Sequence, residues 1–296
     1  TITSDSTTYI ALSDSSSQAV YQNNIFRSAN AKPLKTGILS QLVNNNFTFV
    51  NKKGIEIVGG TLNTQRLWSV QNGDSVYVIV ESDIQISTGI TPVLTLDSGI
   101  TVKLLNVGVR VGGSTSSVKG SLIANGTRNY PIIFTSVSGG IGGWKGIIFD
   151  NSSDLNANSL LQYCKIFNAG LPNSYNINAN IYCRNTNTPL IRNSEIYSSA
   201  AHGIYTITSS PVIQNSKIYN NVQSGVFVGS SSSPVIAASL NSANTIFGNG
   251  TYDIHMSGAS NINAQYNYWG STDTAQISAH IFDKTDNAAL GKVFFT

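Results

Sequence analysis

Short alternations of apolar and polar residues run along most of this chain, and they come back in phase. PLIRNSEIY (189–197) is followed by PVIQNSKIY (211–219), and a third Pro-Val-Ile opens at Pro234, giving intervals of 22 and 23 residues. LLQYCKIF (160–167) fits the same frame, with Ser159 in the proline position. Each unit carries a second phrase: GIIF (146–149), NIYC (180–183), GIYT (203–206), GVFV (225–228) and DIHM (253–256). These phrases are rich in Ile, Val, Tyr and Phe and are bounded by Gly, Asn, Ser and Pro, which is the signal of strands separated by turns. No segment after about residue 67 sustains a helical period, so helices should be scarce there.

Two or three short strands per repeat predict an all-β chain, a right-handed parallel β-helix (β-solenoid) with rungs of about 22–30 residues. Propeller blades need about 40 residues or more, and sandwich strands would not repeat one phrase at this spacing. Stacked rungs put equivalent residues in columns about 4.8 Å apart. Ile166, Ile196, Ile218 and Ile246 form one expected inward column. Ile147, Ile181, Ile204, Val226 and Ile254 form another. Asn193 with Asn215, and Asn220 with Asn249, are expected to stack and bond through their amides. Two repeats are longer, 28 and 30 residues, and the excess in SVSGGIGG and AGLPNSYNINAN reads as loops extruded from one face.

The alternation extends upstream through 92–113 and 68–87, so the β-helix is expected over 67–270, with 271–296 closing it. Residues 1–66 read as an N-terminal cap covering the first open strand edge. SQAVYQNNIFRSANAKPL (17–34) has room for a short helix, and 36–50 for a helix or a strand.

Composition agrees. Only 10% of the 296 residues are charged, against about 25% in ordinary soluble domains. Ser, Thr, Asn and Gly supply the polarity, as turns and half-buried strands require. The net charge of +3 is spread along the chain, without the basic cluster that nucleic-acid binding needs. No apolar run approaches the roughly 18 residues of a membrane span. The chain opens at Thr1, with no Met and no signal peptide, as a mature secreted chain or an excised fragment would. Cys164 and Cys183 form no metal or redox motif; they read as small buried residues, with a disulfide as the alternative.

SLIANGTRNYPIIFTS (121–136) followed by GGWKGIIF (142–149), LTLDSGITVKL (94–104), NYWGSTD (267–273) and the tail over 277–295 resemble passages of right-handed parallel β-helix repeat proteins. The resemblance covers about residues 68–296 and is to the pectate-lyase-like superfamily, especially its secreted and cell-surface members. It implies fold more than function, since that superfamily includes lyases, hydrolases, adhesins and structural spikes.

An enzyme of this kind would need clustered carboxylates: an acid and a base or nucleophile within about 5–10 Å for glycoside hydrolysis, or a calcium-binding acidic cluster with a basic residue for elimination. The chain has 11 Asp and 3 Glu, mostly single and in turns, such as Asp74, Asp97, Asp150, Asp154 and Asp273. His202, His255 and His280 share no metal spacing and read as surface or turn residues. Lys165, Glu195 and Lys217 would make an exposed ladder of alternating charge that fixes register. Asn46, Asn125, Asn151 and Asn249 each begin an N-x-S/T sequon. No cofactor or metal motif emerges.

Alternation turns two further columns outward: Ile148, Tyr182, Tyr205, Phe227 and His255, and Phe167, Tyr197, Tyr219 and Phe247. Aromatic rings spaced by rungs can stack against sugars, and exposed aromatic patches mark interaction sites; loops such as 168–180 could instead cover them as a satellite core. The expected function is therefore non-catalytic: an extracellular or cell-surface protein for adhesion or carbohydrate binding. Tyr182, Tyr205, Phe227, Tyr197 and Tyr219 would be the stacking residues, and Trp144 a groove residue or a packing one. The partner would be a polysaccharide or cell-surface glycan. The alternatives are a polysaccharide lyase or glycoside hydrolase, and a structural subunit of a surface layer or filament that meets other surface-protein subunits.

Overall fold

A computed structural model describes residues 2–3, 12–14, 18–27, 32–47, 53–88, 90, 92–151 and 159–296. The described chain is nearly all β, and its long strand pairings are parallel, an arrangement consistent with a β-solenoid. The strands fall into three main ladders in which each strand pairs with its counterpart one repeat away.

The first ladder passes from Thr101–Leu104 through Ile132–Ser136, Cys164–Phe167, Glu195–Tyr197 and Lys217–Tyr219 to Thr245–Phe247. The second runs from Val109–Gly112 through Ile147–Asp150, Ala179–Arg184, His202–Ile207, Ser224–Val228 and Tyr252–Met256 to Ile281–Phe282. The third runs from Gln65–Trp68 to Val235–Ile236 and includes the Leu-Ile and Val-Ile phrases after the prolines. Two long strands, Ile55–Leu62 and Val76–Ile86, serve the first two ladders at once, with a register shift between Val80 and Ile84.

Both inward columns stand in the expected register. Ile166, Ile196, Ile218 and Ile246 are neighbours and fully buried. So are Ile147, Ile181, Ile204, Val226 and Ile254, with Ile281 continuing the column. Each such side chain removed from water stabilises the fold by about 1.5–3 kcal/mol.

Strand pairing does not stop at residue 67. Ser13–Asp14 pairs with Lys35–Gly37, which pairs with Ile55–Leu62 of the first ladder. The described part of 17–34 holds no helix. Strands Val20–Gln22 and Ile25–Arg27 occupy it, separated by Asn23 at φ 56°. A left-handed residue at that point ends one strand and turns the chain into the next, which a helix cannot accommodate. Within 36–50 the described residues are likewise strand and turn.

Asparagine ladders exist, and Asn249 stands in one as expected, but the other partners lie one residue downstream of Asn193, Asn215 and Asn220. Asn193, Asn215 and Asn220 adopt φ of 52°, 50° and 53° and turn the corners. The following residues point inward. Ser194 Oγ accepts from Cys164 N, Ser216 Oγ from Ser194 N, Asn244 Oδ1 from Ser216 N, and Asn267 Oδ1 from Asn244 N. A second ladder passes from Ser199 N to Asn221 Oδ1, from Asn221 to Asn249 Oδ1, and from Asn249 to Asp253 Oδ1. These side chains satisfy corner N–H groups that the strands leave unpaired inside the fold.

Cys164 and Cys183 are buried and unbonded, in different ladders; burial pushes both thiols up. The closing segment holds a helix, α1 (Thr274–Ala279), capped by Asp273, whose Oδ1 accepts from Ala275 N. Val293–Phe294 then pairs with Ile262–Asn263.

Candidate functional site

The two outward aromatic columns have the expected register, but their rings meet one another first. In the first ladder, Phe167 stacks on Tyr197 at 4.7 Å, Tyr197 on Tyr219 at 5.0 Å, and Tyr219 on Phe247 at 6.0 Å. The planes lie within 8–11° of parallel. Ring faces are thus turned along the column, and solvent meets ring edges and the tyrosine hydroxyls. Phe167, Tyr197 and Tyr219 are half-buried, and Phe247 at the end is exposed. Burial, with Glu195 close by, raises both tyrosines above their ordinary value.

The second column divides. Tyr205 stacks on Phe227 at 4.4 Å, and both are half-buried. His202 lies against both rings, and His255 packs between Phe227 and Phe282. These two histidines are therefore half-buried strand residues among aromatics, not surface or turn residues; His280 is exposed. Among the described residues the His202 Nδ1 has no hydrogen-bond partner, and burial holds its imidazole down to about 4.

Tyr182 is buried, as the covered-core alternative requires, and cannot present its ring to a ligand. Tyr175, from the extruded 168–180 loop, packs edge-on against it. The loop is held by Asp150, which is fully buried and accepts from Arg110, Tyr175 and Arg184, the last at 2.7 Å. Both guanidinium groups also lie over the Tyr175 ring. Asp154 falls outside the described residues. Trp144 is no groove residue: it is fully buried, and its Nε1 donates to the Phe167 carbonyl at 2.8 Å.

The charged column is in register, and half of it pairs. Lys165 lies 3.6 Å from Glu195. On the other side, Glu195 accepts from the Tyr219 hydroxyl at 3.0 Å rather than pairing with Lys217. A groove of about 620 Å³ runs beside it, lined by Arg128, Tyr163, Lys165, Asn193, Glu195 and Lys217. Of the sequons, Asn151 and Asn249 are buried and hydrogen-bonded, whereas Asn125 is exposed.

One further cavity lies where the first column ends. About 400 Å³ in volume, it is lined by Phe247, Asp253, Trp269, Ser271, Gln276 and His280. Burial raises the Asp253 carboxyl, against the opposing pull of its Asn249 hydrogen bonds and of His280. This cavity was not expected. Its signal lay in the second phrase, where DIHM places an acid in the position that NIYC, GIYT and GVFV fill with Asn or Gly.

Among the described residues, no three His, Cys, Asp or Glu side chains gather as a metal site would need. Several acids are already committed: Asp83 to Lys145, Asp150 to two arginines, Asp283 to Thr285, Val293 and Lys292. No family model, no curated protein and no solved structure matches the chain.

Proposed function

We propose that the chain is a right-handed parallel β-helix of the pectate-lyase-like kind, and that it works as a non-catalytic glycan-binding or adhesion protein at the cell surface or outside the cell. The observation that carries this reading is the four-ring stack Phe167–Tyr197–Tyr219–Phe247 on the outer face of the first ladder. Aromatic side chains left on a surface in a continuous row mark an interaction site. Their mutual stacking holds them in place before any partner arrives, which lowers the entropic cost of association. Beside them lie the hydroxyls and charges of Tyr219, Glu195, Lys165 and Lys217, and the groove of about 620 Å³. Ring edges with flanking hydrogen-bonding groups suit the ridged, hydroxyl-rich surface of a polysaccharide.

The fold reading is supported by the 22- and 23-residue repeat and by the three parallel ladders. The commitment of Asp83, Asp150 and Asp283 to structural partners favours binding over hydrolysis, which needs a free carboxylate pair.

The test is a screen against soluble glycans and insoluble polysaccharides, with the wild type, Tyr197→Ala/Tyr219→Ala and Tyr205→Ala/Phe227→Ala compared. The reading expects glycan retention that falls in the first double variant more than in the second. Retention unchanged in both would remove the aromatic columns from the binding surface. Release of unsaturated or reducing sugar by the wild type would replace binding with catalysis.

A further inference from the structure

The corner between the third and first ladders is turned by one residue per repeat, two positions before the column Lys165, Glu195 and Lys217. Register makes these corner residues neighbours in the order Tyr163, Asn193, Asn215, Ala243 and Tyr266. Four of them hold a left-handed backbone: Tyr163 at φ 47°, Asn193 at 52°, Asn215 at 50° and Tyr266 at 69°. Asparagine tolerates that conformation through its short polar side chain, whereas a bulky aromatic residue adopts it against steric cost. The backbone of Tyr163 is held there from both sides. Its N–H donates to the Arg192 carbonyl, and its own carbonyl accepts from Ile132 N. The turn itself needs no ring, since Asn193 and Asn215 make the same turn. An aromatic residue at a position that disfavours it points to a task for the ring.

These two rings differ from those of the aromatic columns. Phe167, Tyr197, Tyr219 and Phe247 cover one another's faces. Among the described residues, neither Tyr163 nor Tyr266 stacks on another ring, and neither hydroxyl makes a hydrogen bond. Tyr163 is half-buried and lines the groove of about 620 Å³, and Tyr266 is 47% exposed. Asn193 and Asn215 line the same groove, and neither side-chain amide has a hydrogen bond among the described residues. Four rung spacings set the two rings about 19 Å apart, with both asparagines between them.

We propose that this corner column is a binding track for an extended oligosaccharide, with Tyr163 and Tyr266 as stacking platforms at its two ends and Asn193 and Asn215 as hydrogen-bonding brackets between them. A pyranose has an apolar C–H face, which suits a free aromatic face. Its rim of hydroxyls, each donor and acceptor, suits side-chain amides that are both as well. A peptide strand would need a ladder of free backbone groups. Here the N–H groups of Tyr163, Asn193 and Asn215 are already spent on the carbonyls of Arg192, Gln214 and Ser242. The inference rests on the glycan-binding reading and deepens it, because it adds two platforms whose faces are free.

The experiment measures retention of the full chain on insoluble cellulose, chitin, xylan and cross-linked polygalacturonate, read as a dissociation constant from depletion isotherms. The wild type is compared with Tyr163→Asn, Tyr266→Asn, the double variant and Tyr163→Phe, and an unfolding midpoint is taken for each. Each Asn variant should bind the retaining polysaccharide about tenfold more weakly, and the double variant by about the product of the two, since the rings lie too far apart to couple. Tyr163→Phe keeps the ring and should bind as the wild type does. Both Asn variants should keep or raise the midpoint, because Asn suits a left-handed corner. Retention unchanged in the double variant overturns the proposal. A midpoint that falls in Tyr163→Asn also overturns it, by making the ring a packing residue. So does a loss in Tyr163→Phe equal to that in Tyr163→Asn, which would put the hydroxyl and not the ring face at the site. If retention survives the double variant but is lost in Tyr197→Ala/Tyr219→Ala, the glycan-binding reading stands without this track. A chain retained on none of the four polysaccharides loses both.

Discussion

Tyr197 and Tyr219 lie one repeat apart with ring centroids 5.0 Å apart and planes 8° from parallel. The repeat makes them neighbours on adjacent parallel strands, the strand spacing of about 4.8 Å sets the separation, and Phe167 and Phe247 continue the stack on either side. The outer face is therefore part of the folding energetics as well as a surface for partners. Aromatic pairs of this kind contribute about 0.5–1.5 kcal/mol each beyond the area they bury.

Tyr219→Ala removes two such contacts and should lower stability by about 1–3 kcal/mol. Tyr219→Phe keeps the stack and loses only the hydroxyl bond to Glu195, at about 0.5–1.5 kcal/mol or less, given its partial exposure. Urea unfolding of the two variants decides the matter. Equal losses would mean that the hydroxyl, and not the stack, holds this face.

Asn220 and Asn221 are adjacent and should respond in opposite ways. Asn220 has a φ of 53°, so Asn220→Gly relieves a left-handed backbone and should be neutral or slightly stabilising. Asn221→Ala leaves the buried Ser199 N without its acceptor, and Asn249 Oδ1 keeps only the backbone N–H of residue 221 as a donor. A loss of about 1–3 kcal/mol is expected from that vacancy. A matched pair of thermal unfolding curves is enough, and similar losses at both positions would refute the one-residue displacement of the ladder.

That displacement marks where sequence stops being legible. The inward Ile columns and the outward rings were readable because alternation with a period of two assigns faces, and a 22-residue repeat assigns neighbours. Corners break the alternation. Asn215 and Ser216 are both small and polar, and the only local signal that assigns the turn is the greater tolerance of Asn for a left-handed backbone. The N-terminal strands were hard to read because their phrases are short and poorly matched to the later repeats. Tyr182 shows the same limit: alternation says which way a side chain leaves the strand, but not whether the loop that precedes it, carrying Tyr175, lies over it.

Asp150 tests that covering loop. Asp150→Asn leaves Arg110 and Arg184 without their carboxylate, and breaking a buried pair of this type costs on the order of 3 kcal/mol. Loop 171–178 should then become the preferred site of limited proteolysis, with Tyr182 more open to quenchers or modification. If the loop stays resistant while global stability falls, the arginines do not hold it down.

His202 should make the fold sensitive to mild acid. Burial among Tyr205 and Phe227, with His255 adding like charge, lowers its pKa to about 4 from 6.5, and burial lowers His255 as well. Between those values the unfolded chain binds a proton that the folded chain refuses. Stability is therefore full above about pH 6.5 and is lost as pH falls toward 4. Asp253 acts in the opposite sense: its raised carboxyl takes up a proton sooner when folded, which favours the native state as pH falls toward 3.8. The wild type should thus lose urea-midpoint stability between pH 7 and 4.5, and His202→Phe, which keeps a ring against Tyr205 and Phe227, should lose less. With His255→Phe added, the loss should shrink further, because both refused protons are then gone. A His202→Phe midpoint that falls as steeply as that of the wild type would place the acid sensitivity elsewhere in the chain.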